Sequence, residues 1–147
     1  MDEVNFKRQN FEKALKSFRV SLEDYNNFQK VVHSLNPNSF DPERMLISLR
    51  DSMIQRFEYT VEVLWKYLKF HLDIKEKALK DLSSPRAVIK TACHYGIINE
   101  AEAESFMHMI DSRNMTSHIY KEEVAQLLSD QLPGFYILMT TLKDRLI

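Results

Sequence analysis

Glycine is almost absent from this sequence, which holds only Gly96 and Gly134 among its 147 residues. Loop-rich and sandwich folds need many turn residues, whereas this chain also has only four prolines and is rich in Leu, Lys, Glu, Met and Phe. Phosphate-cradling loops, dinucleotide-binding fingerprints and nucleophile elbows each require clustered glycines, and none is present. We therefore expect an all-α protein that is not a self-contained nucleotide-binding enzyme.

Apolar residues recur every three or four positions over most of the chain, which is the spacing of amphipathic helices. Asp41-Pro42 and Ser84-Pro85 each have the order of an N-cap followed by a first-turn proline, and Gly96 suits a helix end. The apolar phase continues across Pro133, which predicts one kinked last helix. These patterns predict a single domain over residues 1–147, an up-and-down four-helix bundle with one additional short helix. The predicted helices span 4–33, 41–72 and 86–95, with a fourth after residue 99 and a last from about residue 122.

Composition and charge narrow the function classes. The single cysteine, Cys93, suits a reducing compartment, and no stretch resembles a signal peptide or a membrane span. We therefore expect a soluble, cytoplasmic protein. A net charge of -1 gives no broad attraction for nucleic acid. The five histidines show no ligand-like pairing, so neither a metal site nor a cofactor is predicted. Glu58 and Glu62 fall on the polar side of the second helix and are expected to face solvent.

The second predicted helix has an unusually wide apolar arc. Its apolar residues cover roughly 160° of the circumference, more than one neighbouring helix requires. The arc therefore predicts two neighbours or a second subunit. We expect at least part of one edge to be buried between chains, because an exposed stripe of that size is unusual for a monomer. That edge consists of Ile54, Val61, Trp65 and Leu72.

Arg50 falls inside the same arc, and a charge placed there needs a partner. In one interpretation the stem of Arg50 packs in the core while its head pairs with an acid such as Asp111. In the other, Arg50 is presented at a cleft or a subunit interface.

The stretch DSRNMTSHIY, residues 111–120, contains an Arg, a His and a Tyr within eight positions. On an unbroken helix Arg113 and His118 would lie about 140° apart, so a shared site requires a break between them. The stretch supplies residues that interrupt or cap helices, namely Asn114, Thr116 and Ser117. An Arg and a His at this spacing are a weak motif alone. A purely structural interpretation pairs Arg113 with an acid and uses Thr116 or Ser117 as the cap.

Three blocks in a fixed order give the stretch a context. They are LRDSMIQRFEYTVEVLWKYLK (49–69), SPRAVIKTACHYGII (84–98) and DSRNMTSHIY (111–120). Together they resemble the nucleotidyltransferase substrate-binding proteins, within the wider HEPN superfamily of small helical bundles. The resemblance covers most of the chain.

This resemblance implies a homodimer that works with a separately encoded minimal nucleotidyltransferase, with a heterotetramer as one form of the complex. In HEPN relatives an Arg and a His separated by four to six other residues form the catalytic site of metal-independent RNases, and these positions match Arg113 and His118. In the toxin-antitoxin branch the partner adenylylates a Tyr two residues after the His, which matches Tyr120. Lys121 departs from the small acidic or capping residue that relatives often carry. Supporting or interface roles are expected for Arg50, Asp111, Asn114 and Trp65.

The chemistry of an RNase fits these residues. Metal-independent RNA cleavage needs a group that titrates near neutrality to move the 2′-OH proton, for which His118 is suited. It also needs a cation beside the phosphorane oxygens, for which Arg113 is suited. One histidine serves poorly as base and acid together, whereas a dimer brings two copies to one axis. Two alternatives stay open, an inert subunit that docks another acceptor for the transferase and a dimerising scaffold without activity.

Overall fold

The computed structural model describes residues 2–36, 38, 40–77, 82–116 and 122–146. This part of the chain contains five α-helices and no β-strand, as the sequence predicts. Four of the helices are long, and one short helix lies between the second and third long helices in the sequence. The helices are α1 (Asp2–Val31), followed by a 3₁₀ turn (Val32–Ser34), α2 (Pro42–Ile74), α3 (Pro85–His94), α4 (Glu100–Thr116) and α5 (Glu122–Arg145).

Local capping chemistry sets the helix ends. Asp41 and Ser84 each accept a hydrogen bond from a first-turn backbone N–H, and a proline follows each cap. Asn99 and Glu102 exchange hydrogen bonds at the start of α4, which is a capping box. Gly96 follows α3 with φ of +77°, a backbone conformation that glycine adopts without strain. Because each cap satisfies backbone groups locally, the sequence predicts these ends to within a few residues.

The long helices run up and down. Ring contacts join Phe11 to Tyr67 and Phe18 to Phe57, both at 5.9 Å, so α1 and α2 are antiparallel. The start of α4 meets the end of α5, where Arg145 Nη2 lies 2.7 Å from Oε2 of Glu102. The predicted single last helix is confirmed, since α5 continues through Pro133. None of the helices in the described part of the chain is long and apolar enough to cross a membrane.

The wide arc of α2 is covered within one chain. This helix packs against α1, α3, α4 and α5, which accounts for apolar residues over so much of its circumference. Ile54, Val61 and Leu72 are at most 2% exposed before any second chain is considered. For these three residues, burial between chains is therefore ruled out as the reason for their apolar character, because intrachain neighbours already bury them. Of that edge, Trp65 alone keeps a partly exposed surface.

Candidate functional site

Arg113 lies in the last turn of α4, where Thr116 Oγ1 donates a hydrogen bond of 2.6 Å to its carbonyl oxygen. Its side chain is one-third exposed, and Nη2 lies 3.6 Å from Oε2 of Glu62 on α2. That separation is an ion-pair distance and too long for a good hydrogen bond. The Nε atom of Arg113 is buried and meets no acceptor among the described residues. The guanidinium is thus positioned by charge while keeping donors for another anion.

Glu62 holds this site together. Trp65 Nε1 donates a hydrogen bond of 2.9 Å to Oε2, the same oxygen that faces Arg113. The other oxygen, Oε1, lies 3.1 Å from Lys66 Nζ. The sequence predicts a solvent-facing Glu62, but the carboxylate is partly buried under these three donors. Sequence reasoning missed it, because the guanidinium that encloses it comes from a different helix.

The surroundings of Glu62 keep it ionised. Burial alone would raise the pKa of its carboxyl, but hydrogen bonds from Trp65 and Lys66 favour the charged form. The charges of Lys66 and Arg113 act in the same direction, and the net effect is a lowered pKa. Around neutral pH the site therefore presents a carboxylate that neutralises Arg113 in the absence of a substrate anion.

Arg50 is buried, with 3% of its side chain exposed, and makes a two-pronged contact with the carboxylate of Glu122, while its Nη2 also lies 3.5 Å from Oδ1 of Asp51. Its Nη1 and Nη2 atoms donate hydrogen bonds of 2.5 and 2.9 Å to the two oxygens of Glu122, the first residue of α5. This agrees with the interpretation in which the Arg50 head pairs with an acid. Asp111 is the wrong acid, because Arg86 Nη1 on α3 donates a hydrogen bond of 2.6 Å to Asp111 Oδ1. Arg50 therefore fixes the start of α5, and Asp111 links α3 to α4.

Replacing Glu122 with glutamine is expected to lower the melting temperature by several degrees near neutral pH, because the buried Arg50 would lose the carboxylate that accepts two of its hydrogen bonds. The hydrogen bonds and charge of Arg50 lower the pKa of Glu122 below its ordinary 4.5 against a smaller effect of burial. A lowered pKa in the folded state contributes stability above pH 4.5 that is lost as the pH falls through the folded value. The difference between wild type and variant should therefore shrink on acidification, as thermal unfolding at several pH values would measure.

The matched control for this prediction is Glu123→Gln, at the exposed neighbouring position in the same first turn. It removes the same charge near the same helix N-terminus and is expected to leave the melting temperature nearly unchanged. Equal losses in the two variants would mean that the helix end, and not Arg50, accounts for the effect.

Some of the other predicted site residues lie within the described part of the chain, and others lie outside it. Asn114 is exposed in the last turn of α4, close to Arg113. His118 and Tyr120 lie outside the described residues, as do Ser117 and Lys121. The structure thus places Arg113 with Trp65, while Arg50 and Asp111 belong to two separate ion pairs. In the described ranges no three His, Cys, Asp or Glu side chains are grouped so that they could hold a metal ion.

Comparisons with known proteins bear on this arrangement. A protein from Haemophilus influenzae named "Probable ribonuclease HepT" is 27% identical over 122 residues, which cover 80% of this chain and 82% of that protein. A crystal structure of a Thermus thermophilus protein superposes with a TM-score of 0.67 at 32% identity, covering 92% of this chain and 98% of that one. The family model described as "Nucleotidyltransferase substrate binding protein like" matches residues 6–147. The chain therefore belongs to the nucleotidyltransferase substrate-binding protein family, as the three sequence blocks indicate.

Proposed function

We propose that this protein is the dedicated partner and substrate of a separately encoded minimal nucleotidyltransferase, and that alone it is a metal-independent RNase of the cytoplasm. One observation carries the RNase proposal: among the described residues, the Arg113 side chain pairs only with Glu62, at 3.6 Å, and its buried Nε meets no acceptor. A phosphate that replaced Glu62 would receive stronger, charge-assisted hydrogen bonds from the same guanidinium. The relative from Haemophilus influenzae, which is named as a probable ribonuclease, supports this assignment.

In the proposed reaction, Arg113 stabilises the negative charge that develops on the phosphorane oxygens. His118 takes the 2′-OH proton, and the oxygen attacks the adjacent phosphorus as the 5′-oxygen leaves with a proton. A second His118, from another copy of the chain, supplies that proton. The products are a 2′,3′-cyclic phosphate and a 5′-hydroxyl end. This division of labour makes a homodimer part of the proposal.

The homodimer is assigned to the face between α4 and α5. Leu127 and Ile137 on α5 are 66% and 64% exposed, and Met115 at the end of α4 is 57% exposed. A cavity of about 650 Å³ opens between the two helices, with Phe135, Ile137 and Leu138 among its lining residues. Since this face adjoins the ends of α4 and α5 that flank residues 117–121, two copies meeting here would bring both His118 residues toward one axis.

Size-exclusion chromatography with light scattering tests this assembly. We expect the purified chain to have twice its own mass, and a larger complex to form when a minimal nucleotidyltransferase from the same organism is added. The double variant Leu127→Lys, Ile137→Lys should be monomeric, because two buried charges would have to lose their hydration. The control Ile74→Lys, at a site 50% exposed on α2, should stay dimeric. A wild-type monomer at micromolar concentration would contradict the dimer, and failure to bind an active transferase would contradict the partnership.

An inert docking subunit is the second candidate. The ion pair between Arg113 and Glu62 favours this candidate, because an arginine whose charge is neutralised by a carboxylate can have a purely structural role. A dimer that binds the transferase but cleaves no RNA would support this candidate over the RNase.

A further inference from the structure

A groove runs along the surface where α1 packs against α2. It consists of two neighbouring cavities, of about 190 and 120 Å³, which adjoin at Asn10 because this residue lines both. Four basic side chains line the groove, two from each helix. They are Lys7 and Lys13 on α1 and Arg56 and Lys66 on α2, and we call this surface the basic groove.

The charge in the basic groove is largely unneutralised. Arg56 Nε donates a hydrogen bond of 3.0 Å to Ser17, and Arg56 also contacts Ser52, so uncharged groups hold it in place. Lys7 lies over the ring of Phe70 at 5.1 Å. Within the described ranges neither these two residues nor Lys13 forms a salt bridge with an acid. Four of the seven other arginines, at 50, 86, 113 and 145, are each paired with a carboxylate.

An aromatic ring accompanies these cations. Tyr59 lines the groove beside Lys13 and Arg56 and is 59% exposed. Phe6, one helical turn before Asn10 on α1, is 62% exposed. Exposed rings beside unpaired cations provide the two contacts that single-stranded nucleic acid uses, stacking for bases and charge for phosphates.

One residue of the basic groove, Lys66, is close to the Arg113 site. Lys66 lines the groove and also lies 3.1 Å from Oε1 of Glu62, whose other oxygen faces Arg113. From Arg56 to Lys66 the groove follows ten residues of α2, or about 15 Å along the helix axis. That length suits several successive phosphates of a strand better than the phosphate group of one mononucleotide.

We infer that the basic groove binds the phosphodiester backbone of single-stranded RNA and guides it to Arg113. The inference rests on the proposed RNase function for the identity of the strand. Lys7, Lys13 and Arg56 contact phosphates, and Tyr59 stacks on a base. Lys66 contacts the strand between the basic groove and Arg113, and the Arg113 guanidinium faces the scissile phosphate. The near-neutral charge of the whole chain does not oppose this, because the cations are concentrated on one surface.

The test measures RNA affinity without cleavage, in the full chain carrying His118→Ala. A labelled single-stranded oligoribonucleotide of mixed sequence is titrated by fluorescence anisotropy at several salt concentrations. Adding Lys13→Ala and Arg56→Ala should weaken binding about tenfold or more and reduce the slope of log K against log salt by about 1.4, since each lost phosphate contact contributes about 0.7 for single strands. The control adds Lys30→Ala and Lys90→Ala, which remove the same charge from exposed positions on α1 and α3, and should leave both quantities nearly unchanged.

A second pair of variants tests the stacking role. Tyr59→Ala should weaken binding several-fold and Tyr59→Phe should not, because the ring and not the hydroxyl makes the contact. Equal affinities for the groove variant and its control would overturn the inference. The inference would also be overturned if the groove variants kept their RNA affinity but no longer bound the transferase. In that case the groove would be a docking surface for an acidic protein.

The outcomes separate this inference from the proposed function. If RNA binding depends on the groove but the protein never cleaves RNA, the groove inference holds and the RNase proposal is rejected. If the protein cleaves RNA but its RNA affinity does not depend on the groove, the RNase proposal holds and the groove inference is rejected. Absence of any RNA binding would overturn the groove, whatever a cleavage assay reports.

Discussion

Changing His118 to alanine is expected to slow RNA cleavage by the isolated protein by about 10²–10⁴-fold, the usual contribution of a general acid or base. The same change should relieve any growth inhibition on expression. Arg113→Lys should also impair cleavage, because lysine keeps the charge but lacks the planar guanidinium that can bind a phosphate with two hydrogen bonds. Cleavage of a labelled RNA under single-turnover conditions measures both effects, and chelators should not change the wild-type rate.

The control for this prediction is His94→Ala, at an exposed position on α3 away from the Arg113 site. It should cleave at the wild-type rate. Folding is checked by thermal unfolding, because an unfolded variant would lose activity for another reason. If folded His118→Ala cleaves as fast as wild type, His118 is not catalytic. If no variant and no wild type cleaves any RNA, the inert docking subunit becomes the better account.

Adenylylation of Tyr120 is the second large effect expected. The metal-bound carboxylates of the partner would activate the phenol, whose oxygen attacks the α-phosphate of ATP as pyrophosphate leaves. The product carries a negative phosphodiester seven residues from Arg113 in sequence, where it can pair with that guanidinium in place of RNA. Tyr120→Phe should abolish the modification completely, because no nucleophile would remain at that position.

Exposed tyrosines elsewhere provide the comparison for Tyr120. Tyr59→Phe and Tyr95→Phe alter side chains that are 59% and 38% exposed, and neither should change the modification of the protein. Peptide mapping by mass spectrometry after incubation with the transferase and ATP measures all three variants. Modification at Tyr59 or Tyr95 in place of Tyr120 would move the acceptor and remove the link to Arg113.

The fold was predictable because its signals are local. Asp41, Ser84 and Gly96 act over three or four residues of backbone, so the same short patterns that predict helix ends also produce them. The wide apolar arc of α2 is a different case. A helical wheel shows which positions are apolar and therefore expected to be buried, but it does not show which neighbouring helix buries them. Four helices of the same chain cover the arc, which left no need for a second subunit at Ile54 or Val61.

The site was predictable only in part, for the same reason. Arg113 belongs to a recognisable block, but the acid that faces it, Glu62, lies on the polar side of another helix. One of the two interpretations of Arg50 pairs it with an acid, yet Glu122, 72 residues away, is not identifiable from the sequence. Pairings of this kind depend on helix packing. The basic groove also escaped prediction, because its cations are spread over α1 and α2 and are nearly balanced by acids elsewhere in the chain.

The most direct test of the two-component account is one cleavage assay performed before and after treatment with the transferase and ATP. We predict that the untreated protein cleaves single-stranded RNA, and that treatment silences it in proportion to the fraction of Tyr120 found adenylylated by mass spectrometry. Treated Tyr120→Phe should remain active. Undiminished cleavage by fully adenylylated protein, or an unmodified Tyr120 beside a transferase that is demonstrably active, would contradict the account.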